Sequence, residues 1–521
     1  MPANAPPPEA SFSSGASASK SARRRRGRAR LLLGAILVVW LGTAWWQTVK
    51  PLMPGLEISS AWYPVNQSTL TFMADITAAD AYGRPIMSHA IFDEVLRVVA
   101  QAHEFIVLDY FLFNGDGSPD SGSQPLRPLS AELRDALIAR KKAVPGLRVL
   151  FITDPINDIY GGAPSADLAQ LRAAGIDVVV TNLDALRDSN ALYSSLWRIT
   201  LGWWLDPRPG SGWLPNPLEP GPERVSAGAW ARLLNFKANH RKVIIADDGR
   251  AGITGIVSSA NPHDASSAHS NVALELKGAP LQPLLLSEIA IAHFSGWNGV
   301  IGAPESAGEP SQAIADALTS PDRARVQVLT EAGIRNAVLE RVGGAAKGDG
   351  IDIAMFYLSD RAVIDALLAA SRRGVTVRLI LDPNKDAFGH TKSGIPNRPV
   401  ASELLAASDG AIRVRWYRTH GEQFHSKMLM VYGPERLWLT LGSANLTRRN
   451  LDDFNLEANV AVEVARNSGL AGQVLTYFDT LWRNRAPLGI EYTADADAYL
   501  DPSQLSYWSY RLLEASGLST F

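Results

Sequence analysis

At 521 residues, with 46% hydrophobic and 20% charged side chains, the chain is too long for one average domain and has the composition of folded protein. It has no cysteine, which excludes disulfides, thiol nucleophiles and cysteine-held metals. Net charge is only -2, but Lys20, Arg23, Arg24, Arg25, Arg26, Arg28 and Arg30 stand against Glu9 alone in the first thirty residues. The remaining body is therefore acidic, which argues against a nucleic-acid-binding surface as its main feature.

In chain order, residues 1–30 read as a disordered basic cytoplasmic tail, rich in Ala, Pro and Ser before the arginines. Residues 31–49, "LLLGAILVVWLGTAWWQTV", carry no charge and are just long enough to span a bilayer core as a helix. Trp45 and Trp46 fall where an interfacial aromatic belt would lie. Arginines before the run place the N-terminus in the cytoplasm and the body outside it, in the periplasm of a Gram-negative cell. A cleaved signal peptide, with Gly42-Thr43-Ala44 as its small-residue site, and a buried core helix are the competing readings.

The body alternates helix and strand, and the order repeats. A first domain is expected over 55–301. In it the helical patterns "HAIFDEVLRVVAQA", "SAELRDALIARKK" and "SADLAQLRAAG" precede the strands "FIVLDYFLF", "LRVLFITDPIND" and "IDVVVTN". A second domain is expected over 313–495. There "IRNAVLERV", "RAVIDALLAASRRG" and "VASELLAAS" precede "IDIAMFYL", "VTVRLILDPNKD" and "AIRVRWY". Both halves carry Asp-Pro-x-x-Asp after the second strand, from Asp154 to Asp158 and from Asp382 to Asp386. The boundary falls near residues 302–312, and 496–521 form a C-terminal tail.

Each half next opens an apolar strand with His-x-Lys: His240 and Lys242, then His425 and Lys427. Alternation puts both cations of a pair on one face of the strand, a costly placement at the lip of an apolar run. Ser-Ala-Asn follows at matched distance, giving Ser259 and Asn261 in one half and Ser443 and Asn445 in the other. One such pair is a weak signal; the same landmarks in the same order twice define a duplicated unit. The first half is longer because of an insertion at about 190–225 that holds Trp197, Trp203, Trp204 and Trp213. It reads either as a satellite core under a loop or as an interfacial lip.

These motifs resemble those of the phospholipase D superfamily, whose pattern is His-x-Lys, four residues, Asp, then Gly-Ser-x-Asn. His240, Lys242, Asp247, Ser259 and Asn261 match in the first half, and His425, Lys427, Ser443 and Asn445 in the second. Ser258 replaces the first glycine, and Tyr432 stands where the second Asp belongs. Glu457 looks like the family's acid that orients a catalytic histidine. Aligning "NVALE" with "NVAVE" puts His269 opposite it.

The resemblance implies two α/β/α domains with mixed central sheets, packed with pseudo-twofold symmetry as an intramolecular pseudo-dimer in a monomer, after one transmembrane helix. It implies phosphodiester chemistry with no metal and no cofactor. A neutral histidine attacks phosphorus, forming a phosphohistidine, and a protonated one supplies the leaving group's proton. Lysines and asparagine amides stabilise the non-bridging oxygens. By analogy His240 is the nucleophile and His425 the acid. The expected substrate is a membrane phospholipid with water or a lipid alcohol as acceptor, as in phospholipase D and cardiolipin synthases; nucleic acid is disfavoured. A membrane-anchored exonuclease of the same superfamily is the alternative. His263, His269 and His420 are expected to border the cleft.

Overall fold

The structure, a computed structural model, describes residues 15–80, 82–115, 126–205, 207–210, 212–216, 224–250, 252–302, 320–387, 390–485 and 489–519. The expected domain boundary therefore lies almost wholly outside the described residues.

The repeat read from sequence becomes two sheets of matching order. The first runs Leu70–Asp75, Asn271–Lys277, Ile253–Ser258, Lys242–Asp247, Phe105–Tyr110, Arg148–Thr153, Asp177–Val180. The second runs Arg323–Thr330, Ala458–Ala465, Arg436–Gly442, Lys427–Tyr432, Gly350–Met355, Thr376–Leu381, Ile412–Tyr417. Each is antiparallel through the His-x-Lys strand to its neighbour and parallel beyond it. The second sheet gains Tyr63–Asn66 at one edge and Thr493–Asp495 at the other. Tyr63–Asn66 thus lies in the expected range of the first domain but completes the sheet of the second.

The first central strand is buried along its length and the second over its first four residues, as two-faced apolar strands of a mixed sheet must be. Three cores result. One packs helices Ala90–Gln101, Leu129–Ala143 and Ala166–Ala173 on the outer face of the first sheet. A second packs Ala332–Gly344, Arg361–Arg372 and Asn397–Ala407 on the outer face of the second. The third lies between the inner faces, with Val243, Ile245 and Leu274 from one half against Met428, Leu439 and Val460 from the other. Helices Gln282–Phe294 and Gly469–Arg483 close its sides. A core shared by both sheets ties the two halves together.

The seam also carries main-chain pairing. His240 N donates to Leu456 O at 2.9 Å, and Leu456 N to Ala238 O at 3.0 Å. Symmetrically, Ser270 N donates to Gln423 O at 3.0 Å. Each His-x-Lys strand is thus entered through a bridge to the opposite half.

A single helix runs Gly15–Val49. The expected disorder of residues 1–30 does not hold from Gly15 onward. Ala and Arg are strong helix formers and no proline interrupts them, so helix propagates back from the apolar run. Within it Arg24–Val49 is long and apolar enough to cross a membrane, the one such helix among the described residues, and it is almost wholly exposed. That exposure removes the buried-core-helix reading. Its contacts are at the C-terminal end: Trp40 Nε1 donates to Leu192 O at 2.9 Å and Asp188 N to Gln47 O at 3.0 Å. Leu192 belongs to helix Ala191–Ile199, the start of the tryptophan-rich insertion. There Trp197 is buried, while Trp203, Trp204 and Trp213 are exposed. Only the first tryptophan fits the satellite-core reading.

Candidate active site

His240 and His425 lie two residues before the two central strands, and both are buried. What holds each in place comes from the opposite half. His240 Nδ1 lies 2.9 Å from Glu457 Oε1 and 3.0 Å from Oε2. His425 Nδ1 lies 3.1 Å from Asn271 Oδ1. Glu457 therefore serves the first-half histidine and not its own. Alignment on "NVALE" and "NVAVE" is two residues out of register: the true counterpart of Glu457 is Asn271, not His269. The hydrogen bonds fix this. Ser259 Oγ donates to Asn271 Oδ1 at 3.0 Å, as Ser443 Oγ donates to Glu457. Val272 N donates to Ser259 Oγ and Ala458 N to Ser443 Oγ, each at 3.0 Å. Both serines thus hold the residue that orients a histidine. Asn450 adds a donor to Glu457.

The lysines repeat one geometry. Lys242 Nζ donates to His240 O at 2.7 Å and lies 5.2 Å from the Phe111 ring centroid. Lys427 Nζ donates to His425 O at 3.0 Å and lies 5.2 Å from that of Phe356. The same rings pack on the histidines, with centroids 4.9 and 5.0 Å away. The repeated Asp-Pro step also acquires a role. Asp154 accepts from Asn239 N at 2.7 Å and Asp382 from Phe424 N at 2.7 Å. Each aspartate pins the residue just before a histidine. Asn261 Oδ1 accepts from Leu112 N at 3.2 Å, whereas Asn445 Oδ1 is buried with no hydrogen-bond partner in the structure.

Asp247 does not belong to this group. Its carboxylate accepts from the main-chain N–H groups of His103, Glu104, Phe105 and Gly249. It ends the strand that Lys242 begins, five residues and about 16 Å away at ~3.3 Å per residue. It is a turn-holding residue, which is why Tyr432 can stand in its counterpart's place. The Ser258 departure is also explained by packing. At Gly442 an added Cβ would collide with the main-chain oxygen of Ala458 and lie 2.5 Å from Asn459 Oδ1, so that half needs glycine, while Ser258 pairs with Ala273 in an ordinary strand.

Of the other histidines, His269 reaches the site: its ring is 5.9 Å from that of His425 and its Nδ1 accepts from Gln423 N at 3.2 Å. That contact leaves the proton on Nε2. His263 Nδ1 lies 3.2 Å from Ser266 Oγ, on the turn before His269. His420 is half exposed beside Glu422, away from the pair. Sequence reasoning missed Asn271, Asn450 and Arg241. Arg241, between His240 and Lys242, is wholly buried against Glu288 and Glu331 at 3.0 and 2.8 Å. Glu331 Oε1 also accepts from Glu457 N at 3.1 Å, tying the His240 strand to the carboxylate that orients it. The Ser-Ala-Asn steps do not find Asn271, because it follows Ser259 by 12 residues while Glu457 follows Ser443 by 14; Arg241 has no counterpart, since Ser426 occupies its place.

Electrostatics distinguish the two histidines. Burial pulls His240 down to about 4 although Glu457 opposes it, so the ring is neutral at pH 7. Burial would raise Glu457, but His240 and Lys242 hold it below the ordinary carboxylate range. His425 lies well below the ordinary histidine range through burial, Lys427 and His269, with no carboxylate against it. Burial brings Lys242 to about 7, and burial with Lys242 puts Lys427 well below the lysine range. Such crowding of cationic groups is relieved by an anion, which restores their protons on binding.

The duplicated α/β chain with paired His-x-Lys strands at its seam is similar, in fold and motif, to the phospholipase D superfamily that its sequence resembles. Residues 342–482 match the family model described as "Cardiolipin synthase, PLD-like domain". The fold is similar to that of a phosphatidylserine synthase from Haemophilus influenzae Rd KW20. That likeness has a TM-score of 0.53 at 12% identity, over 88% of this chain and 96% of that one. A polyphosphate kinase from Porphyromonas gingivalis follows at TM-score 0.43 and 14% identity, over 86% of this chain and 53% of that one. The phospholipase D family member Nuc from Salmonella typhimurium gives TM-score 0.25 and 22% identity, over 33% of this chain and 97% of that one. No curated protein sequence matches the chain.

Proposed function

We propose that the chain transfers the phosphatidyl group of a membrane phospholipid, through a phosphohistidine, to water or to a lipid alcohol. The observation that carries this is the unequal pair of histidines, each oriented from the opposite half, one by a carboxylate and one by an amide. Attack by neutral His240 on phosphorus leaves positive charge on its ring, and Glu457 at Nδ1 stabilises that charge as it develops. His425 begins protonated, beside the bound anion, and ends neutral. An amide partner orients it without favouring the cation, so it yields its proton readily to the leaving oxygen. Lys242, Lys427, Asn261 and Asn445 supply donors to the phosphoryl oxygens. In the second step His425 takes a proton from the acceptor, which attacks the phosphohistidine and frees His240. One shared site thus serves both halves.

The helix 31–49 anchors the body outside the cytoplasm in this reading, with the N-terminus inside. Exposed Trp203 and Trp204, on the insertion that packs against that helix, form a lip that meets the bilayer. Lipid mass spectrometry of defined vesicles incubated with the purified chain tests the reading. New phosphatidic acid means hydrolysis; a product with two phosphatidyl groups means transfer. Unchanged lipid together with rapid loss of single-stranded oligonucleotide would replace the reading with the exonuclease.

A further inference from the structure

The C-terminal helix, Gln504–Ser516, packs Tyr510, Tyr507 and Leu513 on the core of the second half and carries a second apolar stripe facing outward. Its inward face carries buried Glu514 and Tyr510. Glu514 accepts from Arg448 N at 2.7 Å and from Ser359 Oγ at 2.8 Å; the Tyr510 hydroxyl donates to Glu403 at 2.9 Å. Its outward face carries Leu505, Trp508 and Leu512, spaced three and four residues apart and exposed by 79%, 63% and 69%. A helix facing water puts its apolar stripe inward; three large apolar groups on one outward stripe mark a surface meant to be covered.

Location identifies the cover. The helix ends at Gly517, whose Cα faces Ser189 O so closely that an added Cβ would lie 1.7 Å away. Ser189 and Asn190 start helix Ala191–Ile199, which carries exposed Leu192 and Leu196 and packs on the Gly15–Val49 helix through Trp40. Neighbouring Asp188 is tied to Gln47 near the C-terminal end of that apolar helix. Leu518, just past Gly517, is exposed as well. The apolar stripe therefore continues from the surface on which the candidate membrane helix is seated.

We propose that Gln504–Ser516 is a second membrane-contacting element, lying along the headgroup–acyl boundary of the bilayer that the N-terminal helix enters. This rests on the reading of that helix as a membrane anchor. Arg448, which contacts Glu514, is three residues beyond Asn445, so a helix held at the bilayer also sets the height of the cleft above it.

The absence of native cysteine permits a clean test. The full chain is reconstituted in vesicles of phosphatidylethanolamine and phosphatidylglycerol. Spin labels are placed one at a time at Leu505→Cys, Trp508→Cys and Leu512→Cys, with exposed Arg372→Cys as the aqueous reference. Collision with oxygen, which concentrates in acyl chains, is compared with collision with a water-soluble nickel chelate. The three stripe labels should show an oxygen-to-nickel ratio at least fivefold above the reference. Ratios equal to the reference overturn the proposal. So does shielding from both reagents, which would mean a protein neighbour. Phospholipid turnover by the unlabelled chain in the same vesicles is read separately. Immersed labels without turnover support the helix placement and count against the proposed function. Water-exposed labels with turnover do the reverse.

Discussion

Replacing Asn271 by Asp would give His425 the kind of partner that His240 already has. The amide oxygen lies 3.1 Å from His425 Nδ1, so a carboxylate there would sit in direct contact with the ring. At a charge separation of about 4 Å and an effective dielectric of about 20, the attraction is roughly 4 kcal/mol, or about three pKa units. The new carboxylate must itself be buried, which returns part of that, so a rise of about one to two units in His425 is expected. As the group that must be protonated, His425 sets the alkaline limb of the pH–rate profile, and that limb should move up by the same amount. A weaker acid delivers its proton more slowly, by roughly three- to tenfold on the plateau. The assay is kcat/KM against pH for two soluble diesters, one leaving as an alkyl alcohol and one as p-nitrophenolate. Only the alkyl leaving group needs the proton, so only its plateau should fall. Movement of the acid limb instead would exchange the roles of the two histidines. An unmoved profile, or equal loss on both diesters, would refute the reasoning.

His240→Ala and His425→Ala should each abolish turnover of the alkyl diester; retention of half the activity in either would mean that the halves work separately. Lys242→Ala or Lys427→Ala should cost several orders of magnitude in kcat, measured under single turnover, because each removes a charge from a buried site. Glu457→Gln should slow formation of the phosphohistidine by about two to three orders of magnitude, the scale of breaking a buried pair, read by trapping the intermediate with acid quench. In the wild type, kcat/KM should already fall as pH rises through values below the ordinary histidine range, while kcat holds to higher pH. The empty cleft depresses His425, whereas bound anion raises it. Full rate in excess chelator is expected, and restoration by a divalent ion after chelation would contradict the mechanism. Trp203→Ala combined with Trp204→Ala should weaken turnover of bilayer phospholipid by up to about a hundredfold and spare a short soluble diester; equal loss on both would make the pair structural.

The duplication was legible because it lies in landmarks that chemistry cannot easily disguise. Two His-x-Lys steps, two Ser-Ala-Asn steps and two Asp-Pro steps fall in the same order, and the two sheets repeat strand for strand. The partnership within the site was not legible, for two physical reasons. The first is distance along the chain: His240 and Glu457 are 217 residues apart, and nothing local in either half says which histidine a carboxylate will meet. The second is the period of a strand. A slip of two residues between "NVALE" and "NVAVE" returns every side chain to the same face, so the apolar alternation fits both registers equally well. Only hydrogen bonds separate them, through Ser259 on Asn271 and Ser443 on Glu457. The unequal pair at the seam comes from this one position, where the halves carry Asn and Glu. Duplication supplied two like histidines, and in the proposed mechanism a single divergence in the residue facing each across the seam sets them to opposite tasks.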